Sequence, residues 1–538
     1  MKLYVNCNVI SQDKSNNKYS ELAVEGNKIV ELGNGTLRNK FKEATVIDLA
    51  GKTIVPGFIE GHVHLLNYAY SLTKINCADV SSIEEMINAG QKYIVDRKIP
   101  KGQWVQGRGW NQTFFAEKRN PTIHDLDAIS RDHPIVFTRI CEHMVVANSK
   151  AMELAGITKD SPNPIGGEIE KDANGNLTGL MKETARYIIY KLIPAKTVEE
   201  IKDMLVEAIK IASSYGLTTM HSDDFETFAD KDWRKVLKAY RELEAEDKLN
   251  MRICEQCLLP QIDKLHEFIK AEVVNKKDTD MVKVGPLKLL TDGSLGGRSA
   301  FMLEAYKDAP ETRGIAVFKQ AELNELVAAA HKVKMGVVCH AIGDGAMTMV
   351  LDAFLNAQKV RPDNDARFGI IHLQITTKEI LARFKTQNIV AYMEPVCLNS
   401  DLHIVESRVG KEKAMTSYNY RTLCDMGIHY TVSSDCPVDS LNPFDSMFVG
   451  TNRCDYKGYP KGGWNPKEKL TVLQMLKGFT IYGAYASFEE GKKGSLEKGK
   501  FADFVIISDD PTKVNTMDLR NIYVCETILG GKTVYRKN

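Results

Sequence analysis

The sequence predicts an α/β protein built on a (β/α)8 TIM barrel, with a small β-sandwich formed from both termini and a large insertion after the first barrel strand. Three observations predict it. Eight short apolar runs bounded by turn residues alternate with helical periods through the middle of the chain. Both ends read instead as short strands separated by turns, and the connection between the first two apolar runs is far too long for an αβ loop.

The eight runs fall at Ile54 to Gly61, Leu217 to His221, Met251 to Gln256, Gly285 to Thr291, Gly336 to His340, Phe368 to His372, Asn388 to Met393 and His429 to Ser434. Between them lie segments such as VEEIKDMLVEAIKIASSYG and TKEILARFKTQN, whose apolar residues recur every three or four positions. A barrel of this kind carries its active site at the C-terminal ends of its strands. Residues 1–55 and 488–538 are expected to form the sandwich and 56–487 the barrel domain. Residues 67–200 form the insertion, and within it WVQGRGW, PIVFTRI and a hairpin turning at Asn174-Gly175 give it strands of its own. Because it leaves from the end of the first strand, we expect a lid that selects substrate.

Composition narrows the function classes. The 538 residues carry 71 basic and 70 acidic side chains, a formal net charge of +1, and 43% are hydrophobic. Nucleic acid and anionic membranes call for a concentrated basic surface, so a small-molecule substrate is the expectation. The N-terminal run MKLYVNCNVISQDKSNN has no apolar core of a signal peptide, and no stretch reaches the roughly eighteen apolar residues of a membrane helix. A cytoplasmic protein is expected. Eleven scattered cysteines fit reduced thiols, and Cys254 and Cys257, a lone C-x-x-C in a strand, read as core residues. Symmetry statistics make a homodimer the default expectation.

The chemistry is concentrated at strand ends. His62 and His64, two apart on the first strand, can face one point, because alternate side chains of a strand share a side. His340 closes the fifth run, His372 the sixth, and Asp435 the eighth. Four imidazoles and a carboxylate converging on one face suit zinc or a similar divalent ion. Lys288, inside the fourth apolar run, has three readings: it snorkels to the surface, it pairs with Asp292, or its amine is carboxylated and bridges two metals.

The ordered motifs VPGFIEGHVHL, RICEHMVVANSKAMELAGI, GGEIEKDANGNLTGLMKETA, KLLTDGSLGGRSA, CHAIGDGAM, IIHLQ, SSDCPVDSLNP and GSLEKGKFADFVII resemble the amidohydrolase superfamily. They point to its YtcJ-like, amidohydrolase-3 group, which includes N-substituted formamide deformylases, and the resemblance spans essentially the whole chain. It implies that His62, His64 and Asp435 hold one metal, that His340 and His372 hold a second or face the substrate, and that Lys288 matches the position of a carboxylated lysine. Glu183 in the insertion is the rival acidic ligand.

The expected activity is metal-dependent hydrolysis of a non-peptide C–N bond, with one or two ions, Zn2+ first among them. Asp435 acts as general base, and His340 or His372 donates to the developing oxyanion. His143 and Arg298 are candidates for substrate contacts; Asp292 and Asp344 are candidates for orienting ligands. The alternatives are a deaminase of a heterocycle using a single ion, and a catalytically degenerate binding protein.

Overall fold

Eight parallel strands make the central sheet: Phe58–Val63, Leu217–Ser222, Arg252–Leu258, Val282–Leu290, Val337–Ala341, Gly369–His372, Val390–Met393 and Tyr430–Val432. Each pairs in parallel with the next. Their residues are nearly all buried, as apolar strands covered on both faces must be. This computed structural model describes residues 1–537 other than 142, 276 and 364.

The first and eighth strands meet at a seam that leaves the sheet nearly closed as a barrel. The Asp435 amide donates to the His62 carbonyl at 3.1 Å, and the His64 amide donates to the Cys436 carbonyl at 2.9 Å. Beneath them the Ser434 amide donates to Glu60 Oε1 at 2.8 Å. Gly61 lets the strands approach this closely: a Cβ there would lie 2.6 Å from the Thr431 hydroxyl.

The helices follow the sequence periods. Val198–Ser214 buries Ile201, Leu205, Ala208 and Ala212 along one stripe. Lys378–Thr386 starts where the Thr377 hydroxyl accepts from the Ile380 amide, and Pro443–Asn452 starts on an Asn442 cap followed by proline. No helix among the described residues is long and apolar enough to cross a membrane.

The run expected as one strand from Ile54 to Gly61 divides at Gly57. Thr53–Pro56 pairs antiparallel with Phe504–Ile507 in a six-stranded sheet drawn from both ends of the chain, and only Phe58–Val63 enters the barrel. The reason is local: a side chain at Gly57 would collide with Thr218, at 2.2 Å from its hydroxyl, and the Gly57 amide turns to the Asp503 carbonyl. A four-stranded sheet holding Lys2–Val5, Glu21–Glu25, Lys28–Gly33 and Thr45–Asp48 completes the sandwich. Tyr4, Leu22, Ile29, Ile54, Phe504, Ile506 and Ile528 share its core.

The chain forms two compact units. One is Met1–Tyr68, Ile201–Thr227 and Lys231–Asn538; the other is Ala69–Glu200 with Phe228–Asp230. The second unit contains a six-stranded sheet running, in spatial order, Gly167–Lys171, Leu177–Glu183, Met144–Ala147, Ile135–Arg139, Val105–Trp110 and Ile75–Asn76. Alternate residues of its strands feed different cores, Phe137 joining Trp110, Phe115 and Leu126, and Val136 joining Val145, Met152 and Ile189. The hairpin turns at Asp172–Asn176, with Gly175 at φ +80°.

Within the first unit a buried ion pair ties barrel to sandwich. Arg252 on the third barrel strand donates from Nε to Asp503 Oδ2 at 2.7 Å and from a terminal nitrogen to Oδ1 at 3.0 Å, with both side chains about 5% exposed or less. Arg252→Met strands the Asp503 carboxylate in the interior, at an expected cost of ~3 kcal/mol. Urea unfolding should show the loss, and adding Asp503→Asn should recover part of it.

Candidate metal centre

The barrel brings its predicted ligands together at the strand ends. Nε2 of His62 and Nε2 of His64 each lie 3.2 Å from Asp435 Oδ1 across the seam. Lys288 Nζ lies 3.1 Å from His62 Nε2, and the His62 and His372 rings are 5.9 Å apart between centroids. The His340 ring in turn sits 4.3 Å from that of His372. Donor atoms of His62, His64 and Asp435 lie within 4.8 Å of one another, and so do those of His372, Glu394 and Asp435. Asp435 belongs to both groups.

The second nitrogen of each imidazole is committed to a protein acceptor, which fixes the tautomer that can bind a cation. His62 Nδ1 donates to Gln256 Oε1 at 2.5 Å, and that amide is itself oriented because its Nε2 donates to the Gly61 carbonyl at 3.0 Å. His64 Nδ1 donates to the Asp223 carbonyl at 3.1 Å. His372 Nδ1 faces Glu394 Oε2 at 2.6 Å. His340 is turned the other way: its Nε2 faces the Gly293 carbonyl at 3.2 Å and Asp292 at 3.3 Å, which leaves Nδ1 as its lone-pair nitrogen.

Acceptors crowd this arrangement around the Lys288 amine. Asp435 Oδ1 is buried with two imidazole nitrogens close by, yet it has no hydrogen bond among the described residues; the same holds for Asp223 Oδ2. Where acceptors face acceptors, a cation resolves the conflict, and these N and O donors fit a divalent ion. Protonation shows the same demand. Burial opposes charge on His64, but Asp435 and Asp223 outweigh it and push its pKa up to about 9. Burial, with Lys288 alongside, pulls His62 down to about 4. Burial and the neighbouring Asp435 and Asp439 push Glu394 well above the usual carboxyl range, and burial pulls His372 well down.

The backbone is also unusual here. His372 and Asp435 sit at φ +75° and +55°, left-handed conformations that cost energy in residues other than glycine and that gather at functional sites.

Other expected residues find different surroundings. Lys288 does not snorkel: it is fully buried, and its carboxylate neighbour is Asp223 at 3.6 Å rather than Asp292. Asp292 instead accepts from the amides of Phe301, Ile342 and Gly343, which seats it against His340. Asp344 bonds the Leu303 amide and Lys413, away from the ligands it was expected to orient. Arg298 makes a two-point ion pair with Asp308. His143 and Glu183, nominated separately, meet at 3.0 Å in the inserted unit, where both are more than half exposed.

Three residues with a place in the cluster went unnoticed in the sequence: Asp223, Gln256 and Glu394. Each ends or lies within a few residues of the end of a barrel strand, in HSDD, ICEQC and YMEP, and that position is the signal that could have found them.

The amidohydrolase family profile matches residues 45–535. The chain belongs to the amidohydrolase family. Among its relatives, YtcJ of Bacillus subtilis (strain 168) is 32% identical over 92% of this chain and 91% of its own. The N-substituted formamide deformylase of Arthrobacter pascens is 27% identical over 99% of this chain and 98% of its own. A solved structure, an uncharacterized metal-dependent hydrolase from Pyrococcus furiosus, superposes with a TM-score of 0.79 at 27% identity, covering 95% of this chain and 100% of that one. These agree with the amidohydrolase group that the motifs indicated.

A proton on His64 competes with any cation for Nε2. Because its metal-free pKa is near 9, affinity for Zn2+ should rise about tenfold per pH unit up to pH 9 and then level off. Chelator-buffered titrations across that range measure the slope; a flat profile between pH 7 and 9 would show that no proton on His64 competes with the ion there.

Proposed function

We propose that this amidohydrolase cleaves a non-peptide C–N bond of the amide type in a small molecule, with one or two divalent ions, zinc first among them, bound at the barrel mouth. The observation that carries the reading is the meeting of His62 Nε2, His64 Nε2 and Asp435 Oδ1 across the barrel seam. The likeness to the Arthrobacter N-substituted formamide deformylase supports the choice of bond.

A divalent ion bound by His62, His64 and Asp435 would polarise a carbonyl and acidify a water. The protein's share is arrangement and proton transfer. His62 and Lys288 are fully buried and form the floor, whereas Asp435, His64 and His340 have side chains 13%, 26% and 15% exposed and form the accessible wall. Asp435 is therefore placed to take the proton of the attacking water and hand it to the leaving amine. Where no second ion engages it, His340 or His372, once protonated, would donate to the charge developing on the substrate oxygen.

Lys288 decides between one ion and two. Asp223 at 3.6 Å stabilises an ammonium and opposes a carbamate, so carboxylation of Lys288 goes together with loading of the second ion. The same contact favours the second reading, a single-ion deaminase with Lys288 unmodified.

The test is hydrolysis of N-formyl amines set against aminoheterocycles, with metal counted by plasma mass spectrometry. We expect amine release from the amides, a fall of about a hundred- to ten-thousand-fold in kcat for Asp435→Asn, and loss of one of two ions in Lys288→Met. Ammonia from heterocycles alone, with one ion in both the parent and Lys288→Met, would establish the deaminase.

A further inference from the structure

We infer that Glu394 is a positioning residue for a second ion: it holds the Nδ1 proton of His372, so that Nε2 is the nitrogen presented to the metal. This deepens the proposed function and rests on it.

Glu394 follows the seventh barrel strand, and its Oε2 lies 2.6 Å from His372 Nδ1, with both side chains about 5% exposed or less. The carboxylate is rigidly mounted. Pro395 follows it, its own carbonyl accepts from the Tyr420 hydroxyl at 3.2 Å, and the Ser433 hydroxyl stands 3.5 Å from Oε1. A separation of 2.6 Å is that of a short hydrogen bond, too short for two donors sharing one ion. Glu394 therefore acts on the ion through His372.

The contrast with the first-strand histidines gives the contact its meaning. His62 Nδ1 is held by the Gln256 amide and His64 Nδ1 by the Asp223 main-chain carbonyl, with the Asp223 carboxylate farther off at 3.9 Å. Of these three, His372 is the one whose Nδ1 is hydrogen-bonded to a carboxylate. A cation on Nε2 leaves the proton on Nδ1, and the resulting charge on the imidazole is shared with Glu394. His372 also sits at φ +75°, a left-handed conformation costly for a residue with a side chain, at the end of its strand.

Equilibrium dialysis of metal-stripped protein against Zn2+ alone tests this without any substrate. Glu394→Leu should weaken the more loosely held ion by about 10–100-fold. Glu394→Gln, which keeps an acceptor, should stay within about fivefold of the parent, and in a His372→Ala background Glu394→Leu should add nothing. The inference is overturned by an unchanged affinity in Glu394→Leu, by a loss that persists without His372, or by Gln failing as fully as Leu, since the last two mean that the carboxylate acts on the ion itself. A parent chain that binds no Zn2+ would overturn the functional reading first and this inference with it. Circular dichroism of each variant guards against a folding defect, and Gln is the variant that preserves the buried polar contact.

Discussion

Closure of the barrel between its first and eighth strands is the constraint on which the site depends. The Asp435 amide bonds the carbonyl of His62, and the His64 amide bonds the carbonyl of Cys436. The backbone bonds that close the sheet thus belong to the same residues whose side chains meet across it. Donor geometry is inherited from barrel geometry, and Gly61 is the residue whose missing side chain allows the approach.

A second shell of acceptors then turns a group of imidazoles into an oriented set. Gln256, the Asp223 carbonyl and Glu394 each occupy an Nδ1, while Asp292 and the Gly293 carbonyl occupy the Nε2 of His340. The histidines differ in basicity although their sequence context is similar: Asp435 and Asp223 push His64 up, whereas burial pulls His62 and His372 down. Neutral backing suits a ligand that must release its proton; anionic backing strengthens a ligand at the cost of burying a charge.

The sequence made the frame legible because strand period, helix period and histidines at strand ends are local signals. His62, His64, His340, His372 and Asp435 could all be placed on strands by that means. Gln256, Asp223 and Glu394 stand at strand ends as well, but an acceptor for an imidazole N–H can be an amide, a carboxylate or a main-chain oxygen, so position marks them and residue type does not. The division of the first apolar run at Gly57 was hidden for another reason: Thr53–Pro56 and Phe58–Val63 are equally apolar, and only the crowding by Thr218 separates them. Of the three readings of Lys288, the one that paired it with Asp292 missed that its carboxylate neighbour lies two strands away at Asp223.

The sandwich has a further consequence, for the order in which the protein can be made. Thr53–Pro56 finds its neighbour Phe504–Ile507 roughly 450 residues later, so as the chain leaves the ribosome this strand keeps an open edge while the barrel is synthesised. Such an edge is a template for wrong pairing. The fold thus places a long wait at the strand that leads directly into His62, and the segment that begins the site is among the last to gain its full set of neighbours.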